Sequence, residues 1–287
     1  MTEQVNLAVI GGSGLYSMPG LKESREYDLD TPFGRPSAPI VVGRLEGLRV
    51  AFLARHGVGH HISPSEVPYR ANIYALKTLG VQRLISVSAC GSLKEELAPG
   101  EIVIPDQLYD NTHGRARSFF GEGLVAHISV AHPFCEDTSD QLESAVREAG
   151  GTVHRGGTFI TIEGPRFSTK GESTTYRSWG MSIIGMTACP EAFLAKEAEI
   201  CYATMAHITD YDVWHESEAP VTVEMVIQTL NRNTAVAQEA LRRLVKNLRP
   251  ERDCDCRNAL STALITRRDA IPPSTLQKLD LLINKYL

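Results

Sequence analysis

Two pairs of residues have types and spacing suited to chemistry. Asp210 and Asp212 close the run Ile200 to His215, ICYATMAHITDYDVWH, in which an apolar segment ends in two carboxylates separated by one tyrosine. Two acids so close repel each other, and at the end of a buried segment they are partly desolvated. Both effects favour a carboxyl that holds a proton near neutral pH. Such an acid donates to a ring nitrogen, while an ionised neighbour accepts from an exocyclic amine. The plainer reading is an Asx-turn closing a strand, and spacing alone leaves both open. The second pair is Arg55 and His56, in LARHG. A guanidinium fork beside an imidazole suits a phosphate, with charge from one and a further hydrogen bond from the other. His60 and His61 follow closely, so a metal site and a solvated polar loop remain rivals. No Cys, Asp or Glu at ligand spacing accompanies the histidines.

Smaller donors gather at other strand ends. Val5 to Ile10 runs into Gly11-Gly12-Ser13-Gly14, where backbone amides and the Ser13 hydroxyl can turn toward an anion. The stretch lacks the Lys-Ser/Thr of a P-loop and does not fit G-x-G-x-x-G, and a plain tight turn fits it as well. Val81 to Ala89 ends in Cys90-Gly91-Ser92, and Ser88 with the amides beside Ala89 forms a further set of small donors.

These groups need strands to deliver them and helices to cover the strands. Ile40 to Leu45 and Leu48 to Ala54 flank Gly47 and predict a hairpin. Strands are also expected over 100–105, 158–162, 182–186 and 200–208. Helices are expected over 68–79, stopped by Gly80, over 137–149, stopped by Gly150, and over 191–199 behind Pro190. Others precede Gly180, span 221–248 and span 274–287. Strand and helix alternate through most of the chain, which predicts an α/β fold with a central mixed sheet flanked by helices. In such sheets ligands bind beyond the carboxyl ends of the strands, where the pairs above fall.

The 287 residues, 43% hydrophobic and 22% charged, suffice for one large core, and a second domain is not required. A net charge of −5 with scattered Lys and Arg gives no basic face for nucleic acid. No window approaches a membrane span and the amino terminus has no signal-peptide pattern, so a cytoplasmic location is expected.

GGSGL, DTPFG, LARHG, SACGSL, TIEGPRFST, MTACPEAFLAKE and TDYDVW follow one another in order over residues 5 to 250. In this the chain resembles the 5′-methylthioadenosine phosphorylases of the purine nucleoside phosphorylase family. The resemblance implies one phosphorylase domain over 1–287, with a distorted, barrel-like central sheet and a helical extension from about 250. It implies phosphorolysis of methylthioadenosine to adenine and 5-methylthioribose 1-phosphate by a homotrimer or dimer of trimers. Inorganic phosphate is then a co-substrate, and no metal or organic cofactor is expected.

Carried over by position, Ser13, Arg55, His56, Ser88, Ala89 and Thr187 match the phosphate site. Met186 matches a ribose contact, Phe167 and Ser168 the base site, and Asp210 and Asp212 the acids facing N7 and the 6-amino group. Val223 and Val226 match the wall around the 5′-methylthio group, and His127 a residue lent by a neighbouring subunit. Ser13 and Ser88 stand where threonine is the expected residue. From the residues themselves, Val223, Val226 and Phe167 fit plain packing equally. Asp210 argues against a 6-oxo purine, which would call for an amide there. The phosphate ligands argue against a water-using nucleosidase and against a non-catalytic adenosine-binding module. A broader purine nucleoside phosphorylase acting on adenosine or inosine is the remaining alternative.

The six cysteines are dispersed, and Cys254-Asp255-Cys256 lies in the polar stretch ERDCDCR. A local disulfide, a redox-active pair, a bond to another cysteine such as Cys201 and two exposed thiols all fit. The resemblance to members from heat-loving organisms favours a stabilising bridge.

Overall fold

The computed structural model describes residues 5–12, 18–215 and 222–287. In chain order these form β1 (Leu7–Gly11), β2 (Lys22–Tyr27), β3 (Ile40–Leu45), β4 (Leu48–Ala54), α1 (Tyr69–Thr78), β5 (Arg83–Ser92), β6 (Ile102–Ile104), β7 (Gln107–Asn111) and α2 (Glu136–Glu148). There follow β8 (Val153–Arg155), β9 (Thr158–Ile162), α3 (Lys170–Ser178), β10 (Ile183–Gly185), α4 (Ala188–Glu197), β11 (Cys201–Asp210), α5 (Val223–Asn247) and α6 (Pro273–Ile283).

The strands join in one mixed sheet, ordered β2-β3-β4-β1-β5-β10-β9-β7, with β11 branching from β5 and continuing through β6 to β8. β5 is the branch point. Its first half lies between β1 and β11, both parallel to it, and its end turns to pair antiparallel with β10 through Gly91 and Ser92. That change of partner carries β5 three residues past its expected end at Ala89 and makes it the strand at which the sheet branches.

Helices cover both faces, so the central strands read as unbroken apolar runs. Alternation along β1 sends Ala8 and Ile10 to one core, with α1, α4 and α6, and Leu7 and Val9 to the other, with α2 and α5. β4 divides in the same way, Ala51 and Leu53 against Val50 and Phe52.

The expected hairpin and the strand over 158–162 are reproduced residue for residue. Three strands, β2, β7 and β8, carry no apolar signature and were not expected. β2, KESREY, is exposed at every residue but Tyr27 and lies at the sheet edge, where charge protects against pairing with other chains. β11 extends to Asp210, so the first acid belongs to the strand itself. α4 begins at Ala188 rather than after Pro190, with Cys189 non-helical within it. No helix among the described residues is long and apolar enough to cross a membrane.

The segment beyond α5 is part of the main core. Ile271, Leu279, Leu282 and Ile283 join the α1 and α4 cluster, and Thr275 Oγ1 donates to the Glu122 carbonyl at 2.6 Å. Leu279→Ala should therefore cost about 2–5 kcal/mol in urea unfolding, as for a core leucine. A change under about 0.5 kcal/mol, the range of surface substitutions, would show α6 to be a mere appendage.

Candidate active site

Arg55, directly after β4, is the most deeply buried of the candidate residues, at 1% exposure. Its Nε and Nη2 pair with both carboxylate oxygens of Glu191 on α4, at 2.8 and 3.0 Å. Nη1 donates to the Val87 carbonyl at 3.1 Å, and Nη2 also reaches the Ile10 carbonyl and Ser86 Oγ. Tyr202 on β11 donates to Glu191 Oε1 at 2.8 Å. Most of the guanidinium is thus spent inside the protein, and Glu191 is its counter-ion.

A line of hydroxyls leads away from it. Ser86 Oγ lies 3.5 Å from Ser88 Oγ, which lies 2.9 Å from Thr187 Oγ1. Arg55, Ser88 and Thr187 therefore converge, with His56 next in sequence and Ala89 next on β5. Ser13 lies outside the described residues. Gly11 and Gly12 reach the same end of the sheet, where the Arg55 amide donates to the Gly11 carbonyl at 3.0 Å.

His56 is buried, and burial followed by the Arg55 charge lowers its pKa to about 4. Its Nδ1 lies 3.0 Å from the Ile62 carbonyl. A neutral ring so placed carries its proton on Nδ1 and offers a lone pair at Nε2. His60 stacks on it at 4.4 Å. His61 turns Nδ1 to the Val58 carbonyl at 3.1 Å, so two of the three imidazoles spend a nitrogen on backbone rather than on a shared ion.

The acids lie farther along the same strands. β11 pairs with β5 so that Asp210 faces Gly91, three residues beyond Ser88. At the rise of an extended strand this separates the acids from the hydroxyl pair by about 10 Å. A side chain at Gly91 would place its Cβ 2.9 Å from Asp210 Oδ1 and 3.2 Å from Asp212 Cβ, so glycine is needed there for the acids to fit.

Asp210 is buried, and its pKa rises to about 6 through burial and the nearby Asp212, against the pull of Thr209 and of the Asp212 amide. Thr209 Oγ1 lies 2.6 Å from Asp210 Oδ2 and 3.2 Å from the Cys90 carbonyl, so it has a second acceptor when the acid is protonated. Oδ1 accepts from the Asp212 amide at 2.8 Å. This is the Asx-turn of the plainer reading, and it coexists with the perturbed acid. Asp212 itself has φ of 53°, a left-handed conformation that aspartate tolerates better than most non-glycine residues.

Burial also raises the Asp212 pKa, with Ser173 and Ser168 pulling the other way. Neither hydroxyl reaches hydrogen-bonding geometry, however: Asp212 Oδ2, Ser168 Oγ and Ser173 Oγ are buried without a partner among the described residues. Buried polar atoms normally find partners, so these three atoms around one acid can serve a polar ligand.

Phe167 is 38% exposed and does not serve the core. The valines expected to fit packing equally are not core either. Val223 is 58% exposed and Val226 half-buried, while the apolar side chains farther along α5, from Ala237 to Val245, fill the second core. His127 is exposed, and its amide is held by the Ala263 carbonyl at 2.9 Å.

Arg115 carries no role in the sequence reading. Fully buried, it donates to the carbonyls of Met186 and Cys189, each at 2.7 Å, and to those of Ile162 and Glu163 at 3.3 and 2.7 Å. It thereby fixes the turn bearing Met186 and Thr187 against the Glu163–Gly164 loop. Glu191 was likewise unremarked. Glu191 lies within the noted stretch MTACPEAFLAKE, and the only sequence signal of either residue is a charge in otherwise apolar or glycine-bearing surroundings.

Arg55, Ser88 and Thr187 thus converge at strand ends of a helix-covered mixed sheet, and the buried Asp210 and Asp212 lie farther along the same sheet. The model of the phosphorylase superfamily matches residues 6–246, and the chain belongs to that superfamily. Within it the chain groups with the S-methyl-5′-thioadenosine phosphorylases. The protein of that name from Geobacter sulfurreducens is 55% identical, over 99% of this chain and 100% of that one. A methylthioadenosine phosphorylase from an antarctic soil metagenomic library superimposes with a TM-score of 0.92 at 48% identity, over 97% of this chain and 99% of that one. The methylthioadenosine phosphorylase of Schistosoma mansoni, solved in complex with adenine, gives 0.86 at 36% identity, over 93% and 100%.

Removing the counter-ion leaves a buried cation alone. Glu191→Ala should destabilise the protein by about 3–5 kcal/mol in denaturant titration. An unchanged midpoint would show that Arg55 can reach solvent.

Proposed function

We propose that the chain catalyses phosphorolysis of S-methyl-5′-thioadenosine to adenine and 5-methylthioribose 1-phosphate. The observation that carries the reading is the acid pair, with its orphaned polar atoms, set one nucleoside's length along β5 and β11 from the Arg55, Ser88 and Thr187 cluster. The named relatives support the choice of nucleoside, and the adenine in the Schistosoma mansoni structure supports the choice of base.

In this reading phosphate is held by Arg55, His56, Ser88, Thr187, the amides about Ala89, and Ser13. Neutral His56 accepts at Nε2 from a phosphate hydroxyl, which leaves the ionised oxygens for C1′. As the C1′–N9 bond breaks, its electron pair passes to the purine and positive charge builds on the sugar. Phosphate stabilises that charge and then forms the new C1′–O bond. Asp210 gives its proton to N7, and Asp212 accepts from the 6-amino group. Phe167 and Ser168 flank the base, and the Met186 backbone meets the ribose hydroxyls. Val223 and Val226 wall the 5′-methylthio group, with His127 lent by a neighbouring copy in a trimer or dimer of trimers. The chain works as one domain with its helical extension, in the cytoplasm, and returns purine and methylthioribose carbon to salvage. The reaction itself calls for no metal and no organic cofactor.

Adenine release from methylthioadenosine should require inorganic phosphate and yield the sugar 1-phosphate; release in its absence overturns the phosphate assignments. Asp210→Asn should lower kcat by about two to four decades with a smaller effect on binding. In the free enzyme the protonated acid is the active form, so kcat/KM should fall as pH rises through about 6, the pKa to which burial raises Asp210. That limb should disappear in Asp210→Asn, and a variant that keeps it would clear Asp210 of the role.

A further inference from the structure

At the opposite end of β11 from the acids, four cysteines that the reaction does not use come together. Cys135 caps α2, Cys201 opens β11, and Cys254 and Cys256 flank the first residue of a short turn, Asp255–Asn258, beyond α5. All four are free thiols, and their sulfur atoms lie within 4.8 Å of one another. Tetrahedral thiolate ligands around zinc, at a Zn–S bond of about 2.3 Å, stand about 3.8 Å apart. The cluster already has that scale, with Cys201 Sγ 3.3 Å from Cys254 Sγ. The other two cysteines, Cys90 and Cys189, are buried elsewhere and take no part.

The surroundings suit thiolates more than thiols. Arg252 Nη1 lies 3.9 Å from Cys201 Sγ, and Lys196 Nζ lies 3.9 Å from Cys256 Sγ. Thr138 Oγ1 donates to Cys135 Sγ at 3.4 Å. Three of the four sulfurs therefore have an N–H or O–H donor, and two of those donors are cations that offset the net negative charge of a tetrathiolate divalent centre. Such outer donors orient and tune metal-bound sulfur. Cys135, Cys201 and Cys256 are buried, whereas Cys254 is half-exposed. Its neighbour Asp253 lines an open cleft with Gln82 and the 249–252 segment.

We propose that Cys135, Cys201, Cys254 and Cys256 form a closed tetrathiolate site for a structural zinc ion. This departs from the expectation that the chain holds no metal, and it makes the Cys-x-Cys pair neither a local disulfide nor two exposed thiols. A four-sulfur donor set selects a thiophilic ion, and a complete set with no open position marks a structural role rather than a catalytic one. The ion would pin the segment after α5 to the starts of β11 and α2.

The test is metal analysis of the full-length, untagged protein, expressed with zinc in the medium and purified without chelator. One zinc per chain is expected, released in step with titration of the thiols by a mercurial reagent. Growth with cobalt should give thiolate-to-cobalt charge transfer and the intense visible bands of tetrahedral cobalt. Cys256→Ser and Cys135→Ser should lose most of the bound zinc and unfold at lower temperature. Should either variant fail to fold, the cobalt spectrum of the native protein still decides. Three results would overturn the site: metal-free protein with four titratable thiols, metal-free protein with the four sulfurs joined as two disulfides, or cobalt protein with an octahedral spectrum. None of these readouts depends on phosphorolysis, so the two proposals fail separately.

Discussion

The fold turns on one buried ion pair. Arg55 and Glu191 join the end of β4 to α4, and through their further hydrogen bonds they reach Ile10 on β1, Ser86 and Val87 on β5 and Tyr202 on β11. Those four strands are the centre of the sheet. A cation and an anion taken out of water together gain little net stability over an apolar pair, so the pair is poorly explained as a stabilising device. It ties α4 to the centre of the sheet, with Thr187, the residue before α4, against Ser88 on β5. Under the proposed function the same guanidinium serves a second partner, the phosphate, and it meets that partner already oriented.

Arg115 performs the matching task at the other side of the Met186–Thr187 turn. By donating to four backbone carbonyls it satisfies a non-repetitive stretch that would otherwise bury unpaired acceptors. Two buried arginines, one on each side, thus hold the segment on which the ribose and phosphate contacts are proposed to sit. Rigid placement of that kind is what a displacement between two bound partners needs, since the reacting atoms must be aligned before bond making begins.

The sequence disclosed the parts of the fold that obey simple periodicities. The hairpin around Gly47, the helix closed by Gly80 and the apolar run into Asp210 were legible because burial on both faces or on one stripe leaves a pattern. β2, β7 and β8 were not, because an edge strand such as KESREY buries only part of Tyr27, too little for a pattern to register. In the site, Asp210 and Asp212 stood out by their spacing, and their perturbation by burial followed from it. Arg55 was noted for an anion, but its pairing with Glu191, 136 residues away, is a tertiary fact with no local trace. The cysteine cluster is similar. Four residues spread from Cys135 to Cys256 meet only because α2, β11 and the segment after α5 share one end of the sheet, and sequence spacing showed the Cys-x-Cys pair alone.

β5 bears the hydroxyl of Ser88 at one position and the glycine that admits the acids three residues on, all within a stretch hydrogen-bonded to β11 at the centre of the sheet. Such a strand neither stretches nor slides, so it works as a ruler. Under the proposed function that ruler sets two reactants against each other: the purine meets the acids at one mark, inorganic phosphate meets the hydroxyls at the other, and C1′ lies between them. One residue inserted between those marks would shift the scale by about 3.3 Å and change which side of the strand each faces, leaving every functional group present and the measure wrong.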